Sequence, residues 1–369
     1  MVENRIISYT DIAYVLGMSP KKLNRWYKEV LSGFTQAKEK REINKNDYKP
    51  KRSPRTNRVS KTIRVPIVLM ENYGKEIAID EKHIRGRFHT IISNIKTGKI
   101  ILMARSMKSK ELHNIVCKHF SIQQRMEVRV VTKDGSETYD WLSRQAFPNA
   151  IKVLDKFHVL KWVFDALNSY RNNLKTNYIL DQANKQRILD IQYYNDKKKA
   201  KREGYSINRK SYRLEKIIHS NGDDTKQLLT RSRYLLYKYQ DQWNTNQTRR
   251  ADILSSEYPD LMDLYVLVLE FRDWYSKINI GASRLKQQDH LLLWIDNIRK
   301  FKSPVLNALA TSIKKHRGQI LNYFIKGYSN ASAEALNRNI KKFIGVNYGI
   351  RNLDFFYFRL MILHSSTSK

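Results

Sequence analysis

The spacing of apolar positions changes along the chain, and each change marks an element. Over residues 8–31, "SYTDIAYVLGMSPKKLNRWYKEVL", apolar residues recur at helical spacing in two short runs broken at Gly17. Thr10 is placed to cap the first run, and Ser19 with Pro20 gives the second an N-cap and a first-turn proline. Ala13 allows close helix contact and Gly17 permits the turn, so a helix-turn-helix is predicted. The periodicity then stops in a polar, basic stretch containing "KPKRSPRTNR", whose prolines argue for a linker. From about residue 75 the pattern is that of strands, in "KEIAID", "FHTIISNI" and "GKIILMAR". A helical stretch, "SKELHNIVCKHF", follows. Two more strand patterns, "MEVRVVT" and "AIKVLD", flank a helix around "GSETYDWLSRQ". From 159 to about 328 the chain reads as nearly all helical, with Leu261, Leu264, Tyr265, Val268 and Phe271 tracing a core stripe. A last helix carries Glu334, with Asn330 or Ser332 as its cap and Gly345 as its end.

The order βββ-α-β-α-β is that of a ribonuclease H-like mixed sheet with flanking helices. The predicted fold class is therefore α/β plus all-α. An N-terminal helix-turn-helix (1–36) and a basic linker (37–70) precede the first part of the core (71–165). A large helical insertion (166–325) then interrupts the core, which resumes over 326–369.

Composition adds a partner. Lys and Arg number 69 against 35 Asp and Glu, a net charge of +34, and the cations recur in every segment. A polyanion is implied, DNA or RNA before an acidic membrane surface. A hydrophobic fraction of 41% argues for a folded chain. The single cysteine, Cys117, excludes an intramolecular disulfide and a multi-cysteine zinc site, and its amphipathic context marks it as a packed thiol. "MVENRIISYT" has no secretory core and no stretch reaches transmembrane length, so a cytoplasmic, nucleoid-associated protein without a membrane partner is expected.

Against this charge four acids stand out: Asp80 in "IAIDEKHIRG", Asp134 in "VRVVTKDGSETY", Asp155 in "IKVLDKFHVLKW" and Glu334 in "YSNASAEALNRNIKKF". The first three each follow a β-branched run. Cutting a phosphodiester requires an activated oxygen nucleophile and a stabilised leaving oxygen, which two Mg²⁺ ions about 4 Å apart supply. Mg²⁺, or Mn²⁺ in its place, takes carboxylate oxygens, and Asp80, Asp134 and Glu334 are the candidate ligands. Glu334, Asn337, Arg338 and Lys341 share one helical face; alone, that pattern is equally a solvated face with a local ion pair. Asp155 and His158 are spaced so that the acid can orient the ring. They read either as a site-supporting or DNA-contacting pair, or as a structural histidine and its partner. Candidate DNA contacts are Lys21, Lys22, Asn24, Arg25 and Lys28 on the second short helix, and Lys51, Arg52 and Arg55 in the linker. Others are Lys197, Lys198 and Lys199 in "DKKKAKRE", and Asn337, Arg338, Lys341 and Arg351 near the C-terminus. Glu81, His83, Asp140 and Asp165 read as surface residues.

"FPNAIKVLDKFHVLKW" and "YSNASAEALNRNIKKFIGVNYGIRNLDFFYFRLMI" resemble the paired signature blocks of bacterial insertion-sequence transposases of the ISL-three family. "IAIDEKHIRGRFHTIISN" resembles that family's first acidic strand, so the likeness runs from about 75 to 363. It implies a DDE-type transposase whose triad falls on Asp80, Asp134 and Glu334. A competing assignment puts Asp155 in place of Asp80. The D-x-x-H pair is similar to one in Mutator-like transposases. The likeness further implies binding to double-stranded transposon ends and target DNA, and a homodimer or larger assembly. Two glycines of the family pattern are replaced, by Ala331 and Ala335, and the Cys-rich N-terminal motif of many members is absent. Two rival readings follow: an inactive or repurposed transposase that only binds DNA, and a ribonuclease H-like nuclease without strand transfer.

Overall fold

The computed structural model describes residues 8–37, 66–347 and 349–365. Lys51, Arg52 and Arg55 lie outside them. The chain divides into two compact units, Met1–His158 with Gly318–Lys369, and Val159–Arg317.

The first unit begins with α1 (Tyr9–Val15) and α2 (Pro20–Trp26), joined through Gly17 at φ 61°. Ser8, not Thr10, caps α1: its hydroxyl accepts the Thr10 N–H at 3.0 Å, because the helix starts two residues earlier than a Thr10 cap would set. Ser19 caps α2 by accepting from the Lys22 N–H at 3.2 Å, and Pro20 occupies the first turn. Tyr9, Ala13, Leu23 and Tyr27 pack with Phe34 and Phe355. The buried Arg359 donates to the Tyr9 hydroxyl at 2.6 Å and lies 5.1 Å from the Tyr27 ring.

Six strands form one mixed sheet: β1 (Ile67–Val68), β2 (Glu76–Ile84), β3 (Arg87–Asn94), β4 (Ile100–Ala104), β5 (Val130–Lys133) and β6 (Ile151–Leu154), in the order β1-β4-β3-β2-β5-β6. Strands β2, β3 and β4 are antiparallel neighbours, whereas β5 and β6 add in parallel. Arg85 and Gly86 turn β2 into β3, both at positive φ, the conformation a tight two-residue hairpin needs. Edge strand β1 lies at the end of the stretch read as linker, where the apolar run Ile67–Val68 pairs with Met103 and Leu102 of β4. The strand pattern "MEVRVVT" is also cut short, since Ser121 and Gln124 form a reciprocal cap that makes 122–127 a helix and delays β5 to Val130.

Helices α3 (Ser109–His119), α4 (Ile122–Glu127) and α5 (Glu137–Ala146) follow. Leu112, Val116, Tyr139 and Leu142 from α3 and α5 pack on Ile77, Ile79, Ile92 and Leu102. Cys117 is exposed, because the buried stripe of α3 runs through Leu112, Ile115 and Val116 and turns the next position outward.

The 48-residue α6 (Lys156–Glu203) starts in the first unit and supplies most of its length to the second. The second unit continues with α7 (Thr225–Arg231), α8 (Thr245–Glu257), α9 (Pro259–Trp274), α10 (Arg284–Arg299) and α11 (Pro304–Lys315). Leu261, Leu264, Tyr265, Val268 and Phe271 of α9 are all fully buried, as their spacing predicts. The Phe271 ring meets Trp294 at 4.5 Å, and the indole N–H of Trp294 donates to the Leu267 carbonyl at 2.8 Å. The buried Asp223 accepts from Arg231 and, at 2.8 Å, from Arg250.

Back in the first unit, α12 (Ala331–Val346) and α13 (Leu353–His364) cover the other sheet face. There Leu336, Ile340, Phe343, Phe356 and Leu360 meet Ile91, Ile100 and Met103. Ile91 and Ile92 thus serve opposite cores, as successive strand residues must. Asn330 sits at the N-cap position of α12 without capping by its side chain, and the helix runs through Gly345 to Val346. Among the described residues no helix is long and apolar enough to cross a membrane.

Candidate functional site

Strand register brings three aspartates level. Ile79 of β2 pairs with Lys133 of β5, and Lys133 pairs with Leu154 of β6. Asp80, Asp134 and Asp155 each come one residue after that row, so they emerge side by side. Asp80 does not end its strand, as the sequence suggests. β2 continues to Ile84 against β3, with Asp80 opposite Ile91, and only its parallel partner has ended.

Each carboxylate is held. Asp80 Oδ1 accepts the Glu81 N–H at 2.8 Å, and its Oδ2 accepts the Asn337 side-chain N–H at 2.6 Å. Asp134 Oδ1 accepts the Ser136 N–H at 2.8 Å, closing the turn into α5. Asp155 is only 2% exposed; its Oδ2 lies 2.9 Å from His158 Nδ1 and its Oδ1 accepts the Asn330 N–H at 3.1 Å. Asn330 directly precedes α12, so Asp155 fixes the start of the helix that carries Glu334. The Thr132 hydroxyl holds the Asn330 side-chain oxygen, which is why that side chain is not free to cap the helix. Three residues after Glu334, Asn337 reaches Asp80, which places Glu334 on the same helix face as that contact.

The electrostatics show one cluster. Burial pushes the Asp80 carboxyl up to about 6; Asp134 and Asp155 push the same way, against the Glu81 N–H and His158. Burial and then Asp155 raise Glu334, while Arg338 and His158 oppose. Burial and then Asp134 also raise Glu81, which is exposed at the edge of the cluster. His158 is raised chiefly by its hydrogen bond to Asp155, burial opposing, with further help from the fields of Asp155, Asp134 and Asp80. The ring is thus anchored by Asp155, within the fields of Asp134 and Asp80.

Beside Asp134, on the opposite side of β5, lies a network the sequence did not reveal. Lys133 is fully buried; its ammonium donates to Gln319 at 2.9 Å and pairs with Asp140 at 3.1 Å, and Gln319 donates to Asp140 at 2.6 Å. Asp140 is therefore half-buried and engaged, not a surface residue. Asp165 is exposed and pairs with Lys161, and His83 is exposed against Phe88.

The candidate DNA contacts separate. Lys21, Lys22 and Arg25 are exposed on α2, whereas Asn24 and Lys28 are half-buried, with Lys28 over the Phe34 ring at 5.8 Å. Lys21, Asn24, Arg25, Lys28 and Arg351 line a cavity of about 360 Å³ under which Arg359 lies. Arg338, Lys341 and Arg351 are exposed, and so are Lys197, Lys198 and Lys199. Asn337 is turned onto Asp80 and not outward.

Comparison with known proteins identifies the family. A family model described as "Transposase", that of the ISL-three (ISL3) group, matches residues 77–360. The chain belongs to the ISL3 family of insertion-sequence transposases. It is 22% identical over 284 residues to the transposase of insertion sequence element IS1557 from two strains of Mycobacterium tuberculosis, CDC 1551 and H37Rv. That similarity covers 75% of this chain and 57% of each relative, so the chain spans little more than half the length of the curated relatives it matches. No solved structure matches it. The family's match begins at β2 and ends within α13, and so takes in all four acids.

The donor set suits a hard divalent cation, since it offers carboxylate oxygens without thiolates. Among the described residues no group of three or more His, Cys, Asp or Glu side chains is drawn together closely enough to hold a metal ion. An open arrangement fits Mg²⁺, which keeps several waters and takes only one or two carboxylates at a time. The raised Asp80 carboxyl is a second sign of fit, because its burial, the chief cause of the shift, costs the charged form stability that a cation beside it would restore.

Proposed function

We propose that this chain is a DDE transposase that binds the ends of its element, cuts a phosphodiester and joins the freed 3′-OH to target DNA. One observation carries the reading: Asp80, Asp134 and Asp155 follow a single cross-strand row, and the helix bearing Glu334 is tied to that row through Asn337 and Asn330. The antiparallel β2-β3-β4 meander extended by parallel β5 and β6 supports a ribonuclease H-like core, with Val159–Arg317 as its helical insertion. The α1–α2 pair supports a DNA-binding helix-turn-helix with Lys21, Lys22 and Arg25 toward phosphates.

In this reading Asp80, Asp134 and Glu334 hold the metal. Two bound Mg²⁺ ions would activate the attacking oxygen and stabilise the leaving oxygen. The protein's own groups set the stage. Asn337 and the Glu81 N–H fix the Asp80 carboxylate, which is fully ionised only above about pH 6. Asp155 pins both His158 and the start of α12, which supports a positioning role for it and favours Asp80 as the ligand. His158, with its cationic form favoured, faces the scissile phosphate as the counter-charge the carboxylates lack. Arg338 and Lys341 on the exposed side of α12 take phosphate oxygens of the same strand. Because two ends must be joined together, the active species is a homodimer or larger assembly on double-stranded DNA.

The test is end joining. Purified protein, a labelled end of its element, a plasmid target and Mg²⁺ or Mn²⁺ should give joined product, and Glu334→Gln should lower it by about 10³-fold. Duplex binding without metal-dependent joining, unaltered in Glu334→Gln, would make the chain a DNA-binding protein only.

A further inference from the structure

The end of α6 carries a surface that the carboxylate site does not use. Between residues 196 and 216 there are nine Lys and Arg against three Asp and Glu. Two aromatic rings are largely exposed in this cationic field: Tyr194 is 61% exposed, with the Arg209 guanidinium 6.0 Å from its centroid, and Tyr205 is 49% exposed.

The surroundings of these rings are built. Gln186 of α6 donates to the Tyr212 carbonyl at 3.0 Å and accepts the Leu214 N–H at 3.0 Å, which seats the segment after α6 back along the helix. The Tyr212 hydroxyl donates to Asp196 at 2.8 Å, and Arg209 pairs with Asp190 at 2.6 Å. The Arg209 guanidinium lies 4.3 Å from the Tyr193 ring centroid, and Lys197 approaches the same ring at 5.7 Å. Tyr193 in turn meets Tyr194 edge-on at 5.7 Å and Tyr212 at 5.4 Å. The acids nearest this array, Asp190 and Asp196, are thus engaged within it, and the cations around Tyr194 stay available.

Cations alone suffice to hold duplex phosphates, and a duplex hides the faces of its bases. Bare rings interleaved with cations suit a different ligand, a strand whose unpaired bases stack on aromatic faces while its phosphates follow the positive charge. We propose that the tip of the helical unit binds single-stranded DNA, with bases stacked on Tyr194 and Tyr205 and phosphates held by Lys197, Lys198, Lys199 and Arg202. The proposal rests on the reading of this chain as a DNA-processing enzyme and names a second ligand for it. The strand is one unpaired when an element end is opened.

The full chain is titrated by fluorescence anisotropy against a labelled single strand and the corresponding duplex, without metal. The exposed pair Tyr194→Ser/Tyr205→Ser should weaken single-strand binding about tenfold or more and leave duplex binding within about twofold, whereas Tyr194→Phe/Tyr205→Phe should keep both. A strand carrying 2-aminopurine should lose its stacking quench with the serine pair only. Unchanged single-strand affinity in the serine pair, or equal losses on strand and duplex, would overturn the proposal. End joining is scored separately on the same proteins. A wild-type chain that stacks single strands yet never joins ends would sink the transposition reading and leave this one standing.

Discussion

The carboxylate site and the basic tip of α6 are assembled in opposite ways. The site draws on Asp80, Asp134, Asp155 and Glu334, which are far apart in sequence and meet only because β2, β5 and β6 share a row and α12 is tied across them. The tip is one stretch of chain whose cations are neighbours in sequence. The site takes its charges at least partly out of water and fixes its three aspartates with named partners; the tip leaves most of its cations in solvent. A buried, tethered carboxylate loses much when one partner goes, and an exposed cation in a crowd loses little.

Three changes would break or sharpen that contrast. The largest effect is expected from Asn337→Leu, which removes the side chain holding Asp80 Oδ2 at 2.6 Å and leaves all three proposed metal ligands in the sequence. Joining activity should fall about 10- to 100-fold with a raised Mg²⁺ requirement, the range seen when an outer partner of a metal ligand is lost. Unaltered metal dependence would show that Asp80 does not need to be oriented.

Asp80→Asn comes next, read as stability. The folded protein raises this carboxyl from 3.8 to about 6, so it binds the proton more tightly than the unfolded chain does. Ionisation of Asp80 therefore costs stability; the cost is absent below the unfolded value, grows as pH rises and is complete above the folded one. In a metal chelator Asp80→Asn should be more stable than wild type near pH 8, by about 3 kcal/mol, and the gain should vanish toward about pH 4. A gain independent of pH would mean that the charge is not the cause.

The smallest effect belongs to the tip. Lys198→Gln removes one exposed cation from a run of three, and single-strand affinity should fall only a few-fold, with the salt dependence of binding lowered by about 0.7 of a unit of slope. A loss as large as that of Asn337→Leu would show that the tip is as specifically organised as the site.

Much of this was legible in sequence. The α9 stripe, the strand patterns, the Ser19–Pro20 start of α2 and the Asp155–His158 pair all lie within one element, where spacing alone decides which side chains meet. Each failure has a local competitor. Ser121 and Gln124 capped a helix out of residues read as strand, Thr132 took the Asn330 side chain, and the Glu81 continuation of β2 kept Asp80 inside a strand. Lys133 ends a β-branched run, and nothing local marks it as interior, yet it is fully buried because Asp140 and Gln319 satisfy its ammonium.

The sequence by itself determined the charge, the alternation that makes the strands, the helical stripe and the family, since each depends on residue type at short spacing. Only the tertiary structure decided which acids stand together, that Asn337 faces Asp80 and not solvent, and that Lys133 is an interior cation. Those outcomes depend on strand register and on which helix covers which face. Register is settled by the burial of whole faces and by hydrogen bonds between distant residues, and no local pattern carries that information.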